Sequence, residues 1–296
     1  MRFRDGALAA LTSVIWGFGF VVIKLGLSSF SAPQLTALRF IVAALPVFLV
    51  PRPKIAWPRL ALIGLTLFTG QFLLLFFAIA ARLPAGLASV TQQTQVFFTV
   101  LLAAIFLREI PTLRQGVGMT MAFAGLALIG ATVGGADLPP MALGLALAGA
   151  FSWAVGNILV KRAAEVPVLS LVVWASLVPP SPALLVSAIV DPHPSLPAAL
   201  AAASWLGIGC ALYLGAFATI VAYAIWGDLL QRYSAARVAP FALLAPCAGV
   251  VASALAFGEI FSPIRYAGMA LILAGLVVIA FARGGGDSTR ELRSAR

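Results

Sequence analysis

Acidic residues and histidine are scarce in this chain, and their absence from key places narrows it first. Only 9 of the 296 residues are Asp or Glu, one is His, and all charged residues together make up 9%. None of the nine carboxylates stands in the middle of an apolar run. Asp5, Glu109, Asp137, Glu165, Asp191, Asp228, Glu259, Asp287 and Glu291 all fall at run ends, in connections or in the C-terminal tail. A carboxylate proton relay inside a membrane is therefore not expected. His193 lies in a proline-flanked connection, and no metal-ligand cluster, nucleophile elbow, phosphate loop or zinc-protease motif occurs. No catalytic residue, metal or cofactor is expected. Cys210 and Cys247 both lie inside apolar runs and read as small core residues, not as a disulfide.

What is present is hydrophobic, at 62% of residues, far from the composition of a soluble domain. Charge-free runs recur along almost the whole length, each long enough to cross about 30 Å of hydrocarbon as a helix. Ten spans are expected, at 6–27, 32–50, 59–81, 86–107, 114–133, 140–161, 168–190, 203–226, 236–257 and 264–282. The formal charge of +10 raises the question of a nucleic-acid partner, and the placement of the basic residues answers it. With the N-terminus in the cytoplasm, most of them fall on the cytoplasmic side, and only Lys24, Arg82 and Arg265 fall outside. Positive-inside bias accounts for the charge without nucleic acid and puts both termini in the cytoplasm. The first span follows Arg2 and Arg4 as a signal peptide would, but its apolar run is too long and is read as retained. The Gly-rich, charged stretch 284–296 reads as a disordered cytoplasmic tail.

Part of the chain is written twice. A slide of 150 positions lays 109–130 on 259–280 with identities at Glu109/Glu259, Ile110/Ile260, Gly118/Gly268, Met119/Met269, Ala124/Ala274, Gly125/Gly275, Leu126/Leu276 and Ile129/Ile279. The same slide pairs Arg82 with Arg232 and Ala85 with Ala235, and a slide of 137 lays Trp16, Gly19 and Lys24 on Trp153, Gly156 and Lys161. Two five-span halves, 1–136 and 137–283, divided at the turn 134–140, are necessarily inverted relative to each other. That arrangement is a transporter architecture with a central cavity between the halves.

Arg39 is the sharpest anomaly, close to the centre of span two, where a charge costs about 2.5–3.5 kcal/mol or more. It reads either as a contact for an anion or carboxylate in a water-filled cavity, or as a structural cation bonded to its neighbours. Trp16 and Trp153 fall mid-span although Trp prefers the interface, and Trp16, Phe20 and Lys24 share a broad helical face, as do Trp153, Asn157 and Lys161. The two lysines, near span ends, read as snorkelling. Span four carries Thr91, Gln92, Gln93, Thr94 and Gln95, polar groups that hydrocarbon does not solvate. Because five consecutive residues encircle a helix, only some can face a pore. Gln71 and Tyr213 are further mid-span candidates. Gly118 and Gly125, repeated as Gly268 and Gly275, read as close helix packing, and Pro46, Pro179, Pro180 and Pro246 as helix breaks beside a cavity.

The strings from Asp5 and Gly6 to Trp16, Gly17 and Phe20–Lys24, Leu38–Phe40, Arg52–Lys54, Pro84–Ser89, Gln93–Thr99, Phe151–Asn157, Ile225–Gly227 and Arg237–Pro240 together resemble the EamA branch of the drug/metabolite transporter superfamily. Within it the likeness leans towards the bacterial O-acetylserine/cysteine exporters, and aromatic amino acid exporters are similar too. The resemblance implies an all-α integral membrane protein of ten transmembrane helices, with spans one to four and six to nine around the cavity and five and ten peripheral. It also implies export of amino acids and related small metabolites, cysteine-like or aromatic and hydrophobic, across the bacterial inner membrane by alternating access. It carries Trp16, Arg39, Gln71, Gln93, Gln95, Trp153 and Asn157 over as pocket or gate residues; Tyr213 joins them from its mid-span position. A monomer or weak dimer in the lipid bilayer, acting on a small molecule, is expected. Export of lipophilic cations is the alternative, disfavoured by the absence of a mid-span carboxylate.

Overall fold

The computed structural model describes residues 1–108, 111–133, 138–162, 166–191, 194–233 and 235–282. Glu109, Ile110, the turn residues 134–137, Glu165, His193 and the tail 284–296 lie outside the described residues. Among the described residues every regular element is helical. Hydrocarbon imposes this on a chain of apolar runs, because each segment must satisfy its own backbone polar groups. Helices stand at all ten expected positions: α1 (Phe3–Gly26), α2 (Ala32–Ala44, continued by a 3-10 turn Leu45–Phe48), α3 (Trp57–Ala80), α4 (Ala85–Leu107), α5 (Leu113–Gly130), α6 (Pro140–Lys161), α7 (Val168–Val190), α8 (Trp205–Arg232), α9 (Ala235–Ala242 and Leu244–Phe257) and α10 (Pro263–Ala282). A short helix, Leu196–Ala202, joins α7 to α8. Among the described residues eight segments are long and apolar enough to cross a membrane; α2 and the longer piece of α9 are shorter.

Local signals set the ends. Ser31 and Thr112 open α2 and α5 with reciprocal capping boxes to Gln34 and Gln115, which satisfy amides that a first helical turn leaves unpaired. Arg108 (φ 54°) and Gly258 (φ 64°), partners in the 150-residue slide, end α4 and α9 in the left-handed region. Glycine adopts that backbone freely and arginine does not. α8 continues past the expected end at 226 because its charged end is paired: Arg232 bonds Asp228 one turn back and Asp5 of α1 at 3.1 Å.

The irregular turns recur in corresponding places. α3 has a π-helical segment at Gly64–Gly70 and α8 has one at Tyr213–Val221. In each, a threonine hydroxyl bonds the carbonyl five residues back, Thr69 to Gly64 at 3.2 Å and Thr219 to Leu214 at 2.8 Å. α4 is interrupted at Gln92 and Gln93, and α9 at Leu243. Pro46 sits in the 3-10 turn closing α2, and Pro179 and Pro180 at the interruption of α7 between Ala175 and Pro180. Pro246 lies just beyond the break in α9.

α5 and α10 form the most extensive helix pair, and α1 lies along α9 as α6 lies along α3 and α4. The α5–α10 crossing is antiparallel and made by the repeated glycines. Gly118, early in α5, meets Gly275, late in α10, while Gly125 meets Gly268. The cysteine expectation holds for one residue only: Cys210 is buried, but Cys247 is exposed, and both are free thiols. Cys247 fails as a core residue because it lies on the outward face of α9, which packs its other side against α1 and α4.

Candidate functional site

Helices α1, α2, α3, α4, α6, α8 and α9 enclose a cavity of about 300 Å³. The interruptions in the helices aim side chains into it. Gln92, Gln93 and Gln95 all line it, at the break that interrupts α4. Thr91 and Thr94 point away and are fully covered. Gln71 follows the π segment of α3 directly, and its amide donates to Gln92 Oε1 at 3.5 Å. Gln92 in turn donates to the Ala146 carbonyl of α6 at 3.4 Å.

Arg39 is 4% exposed. Its guanidinium lies 3.7 Å over the Phe72 ring, and its Nε donates to Thr219 Oγ1 at 3.2 Å, in the π segment of α8. Among the described residues no carboxylate pairs with it. The ring face and the hydroxyl offset part of the cost of holding a cation here, and the site keeps a positive charge in the cavity wall. Both sequence readings therefore meet in one residue, which bonds its neighbours and also lines the cavity.

Trp16 lines the cavity from α1. Its indole Nε1 donates to the Ala218 carbonyl at 3.0 Å, and its ring packs at 5.2 Å from both Tyr223 and Trp226. The π segment of α3 is held similarly, since Ser152 of α6 donates to the Thr66 carbonyl at 2.7 Å. Single π turns concentrate at functional sites, and here each is fixed by a side chain from a neighbouring helix. Trp153 lines the cavity from α6 and packs against Phe72, with ring centroids 6.0 Å apart.

Of the eight residues singled out from the sequence, Trp16, Arg39, Gln71, Gln93, Gln95 and Trp153 line this one cavity. Asn157 and Tyr213 do not. Asn157 donates to Thr99 at 3.1 Å and ties α6 to α4, and Tyr213 donates to the Ile15 carbonyl at 2.9 Å and ties α8 to α1. Lys24 differs from its snorkelling expectation: its ammonium pairs with Glu259 at 2.7 Å. Sequence reading missed Thr219, Tyr223 and Trp226. The 150-residue slide that pairs Thr69 with Thr219 held the signal for the first. Tyr223 and Trp226 stand on the cavity face of α8 beyond its π turn, where an unbroken helical count loses register. The cavity offers a guanidinium for an anionic group, amides for hydrogen bonding and an aromatic wall for apolar surface.

The sequence profile of the EamA-like transporter family matches this chain twice, at residues 6–131 and 140–281. The chain is 42% identical over 287 residues to a Salmonella typhimurium protein named "Probable amino-acid metabolite efflux pump", covering 95% of this chain and 96% of that one. An Escherichia coli K12 protein of the same name is 40% identical with the same coverage. A Streptantibioticus cattleyicolor protein named "Probable terminal-alkyne amino-acid exporter" is 30% identical over 280 residues, 91% of each chain. A solved crystal structure shares the fold at a TM-score of 0.62 and 21% identity, covering 94% of this chain and 97% of that one.

Proposed function

The chain belongs to the EamA-like transporter family, and from that premise we propose that it exports amino acids and related small metabolites across the bacterial inner membrane by alternating access. Membership makes it a multi-pass membrane transporter of small molecules and not an enzyme. In the proposed reading ten helices cross the membrane in two inverted five-helix repeats, 1–136 and 137–283, with both termini in the cytoplasm. The double match of the family profile, the antiparallel α5–α10 crossing through repeated glycines and the paired π segments support it. Trp16, Arg39, Gln71, Gln93, Gln95 and Trp153 form the substrate site, with cysteine-like or aromatic and hydrophobic amino acids as cargo.

The observation that carries this reading is Arg39. A buried guanidinium in a cavity wall, stacked on Phe72 and without a carboxylate partner among the described residues, presents a permanent charge to an anionic group. The carboxylate of an amino acid supplies that group, and the Trp16, Tyr223 and Trp226 cluster supplies apolar surface for its side chain. The same aromatic cluster favours a second reading, a lipophilic cation bound by ring faces. Purified protein in liposomes, offered labelled cysteine, O-acetylserine, phenylalanine and a lipophilic cation, separates the two. Amino-acid uptake is expected; uptake of the cation alone would overturn the leading reading.

A further inference from the structure

At the end of the molecule where α1 stops, four segments converge on one carboxylate. Glu259 stands in the connection between α9 and α10, with its side chain 9% exposed. One oxygen accepts from Lys24 Nζ of α1 at 2.7 Å and from the backbone amide of Ala85 at 3.1 Å. The other accepts from the amide of Gly86 at 3.0 Å and from the hydroxyl of Ser253 on α9. The Lys24 ammonium also lies 4.1 Å over the Phe257 ring. Two first-turn amides of α4 are thereby satisfied by a charge from another helix pair, where the helix dipole favours an anion. Gly86 makes the approach possible, because a Cβ there would come within 2.9 Å of Ser253 Oγ and 3.4 Å of Glu259 Oε2.

A second carboxylate repeats the pattern on the flank of the same end. Asp191, at the close of α7, accepts from Ser31, the N-cap of α2, at 2.5 Å and from Ser187 at 2.6 Å. Beside it the Gln34 amide donates to the Pro194 carbonyl at 2.9 Å. Both carboxylates therefore tie the end of one helix to the start of another that also borders the cavity, and both do so beyond the same end of it. At the opposite end the polar contacts are distributed differently: Asp5 binds Arg232 and Tyr233, joining α1 to α8, and Arg162 binds the Phe106 carbonyl, joining α6 to α4. Among the described residues no hydrogen bond there joins the last turn of α4 to α9, the pair that Glu259 fastens at its own end.

We propose that Glu259 is the latch that keeps the cavity shut at the Lys24 end, and that its withdrawal from the first turn of α4 is the step that opens this end. The proposal rests on the alternating-access reading. Lys24 holds the carboxylate in place from α1, Ser253 from α9, and the two amides are the strike plate on α4. Burial raises the affinity of the Glu259 carboxyl for a proton, but the bonds from Lys24, Ser253 and the Gly86 and Ala85 amides outweigh it and hold the carboxyl below the usual carboxylate range. Lys24 is the charged group facing it from α1; from α4 and α9 it meets only amides and a hydroxyl. The latch therefore stays charged near neutral pH, and substrate-driven motion of α4, not protonation, releases it.

The test reads opening directly. Leu75 lines the cavity from α3 and is 1% exposed. Leu75→Cys, with Cys210 and Cys247 replaced by Ala, is labelled in membranes with an impermeant maleimide. A control cysteine at Ser28, exposed in the α1–α2 connection, identifies the side on which the Lys24 end lies. Glu259→Gln is expected to accelerate labelling of position 75 about tenfold from that side, the effect of losing one charge-assisted hydrogen bond. Gly86→Ala, which keeps every charge and displaces the Ser253 hydroxyl that holds the carboxylate, is expected to act in the same direction. Unchanged labelling in both variants, with protein that stays monodisperse and helical, overturns the latch. If Glu259→Gln aggregates, Gly86→Ala and Lys24→Gln decide alone. Labelling requires no substrate, so accelerated labelling in a protein that transports no amino acid keeps the latch and removes the proposed cargo.

Discussion

A methyl group at Gly118 would stand 2.7 Å from the carbonyl oxygen of Gly275, and one at Gly268 would stand 2.6 Å from that of Gly125. The α5–α10 crossing is backbone against backbone, and no side chain fits between. In a membrane such close approach supplies dispersion contacts where no hydrophobic driving force exists. Gly118→Val is therefore expected to destabilise the protein by about 1–3 kcal/mol, the usual cost of overpacking. Gly116→Ala, on the same helix with open space around it, is expected to be neutral. Thermal unfolding in detergent compares the two, and equal melting temperatures would contradict the crossing.

Replacing Arg39 removes the one positive charge that the described residues place in the cavity wall. Arg39→Gln is expected to lower amino-acid transport about tenfold to a hundredfold, as loss of a hydrogen bond to a charged group does, while the protein inserts and remains monodisperse. Arg39→Lys is expected not to restore transport fully, because an ammonium cannot lie flat on Phe72 while bonding Thr219. Unaltered uptake by Arg39→Gln would remove the residue from the site.

Trp16→Phe keeps an aromatic ring beside Tyr223 and Trp226 but deletes the donor to the Ala218 carbonyl. Stability should fall by about 0.5–1.5 kcal/mol, and relative uptake of aromatic against small amino acids should change. An Arg2→Ala control, at an exposed position, should leave the ratio untouched. A ratio that moves equally in both would place Trp16 outside the binding wall.

Both termini are expected on the cytoplasmic side. Single cysteines at positions 4 and 265, on a background lacking Cys210 and Cys247, report this in intact cells. An impermeant maleimide should reach position 265 and not position 4; the reverse pattern would invert the topology.

Export is expected without obligatory proton coupling, since among the described residues no Asp, Glu or His lines the cavity. The carboxyl that joins α4 to α9 at the cavity end is Glu259, whose proton affinity is lowered in the fold. Its contribution is fully present above the ordinary carboxylate range and is lost only as pH falls through the lowered value. Uptake and position-75 labelling should thus be flat between about pH 6 and about pH 8. Accumulation that appears only with an imposed proton gradient, at constant membrane potential, would defeat this expectation.

Ten apolar runs and the twofold writing of the chain were legible because membrane burial acts on every residue of a span. The cavity residues that announce themselves by polarity in an apolar setting, Arg39, Gln71, Gln93 and Gln95, were legible for the same reason. Asn157 and Tyr213 carry the same signal but spend it on Thr99 and the Ile15 carbonyl, and composition cannot distinguish a polar group facing a neighbouring helix from one facing a cavity. Tyr223 and Trp226 were hidden because a π turn changes the residue count per revolution. Glu259 read as a charge at a span end, and its bonds to Ala85 and Gly86 depend on contacts across 174 and 173 positions of sequence.

The breaks in α4 at Gln92–Gln93 and in α9 at Leu243 occupy matching places, yet one is dressed in amides and the other in aliphatic side chains. In the proposed two-repeat reading, mechanics and taste are thereby written at different levels, the first in backbone shared by both halves and the second in side chains that each half chooses alone. A lineage can change what such a protein carries by altering one dressing, while the hinge beneath it stays as it was.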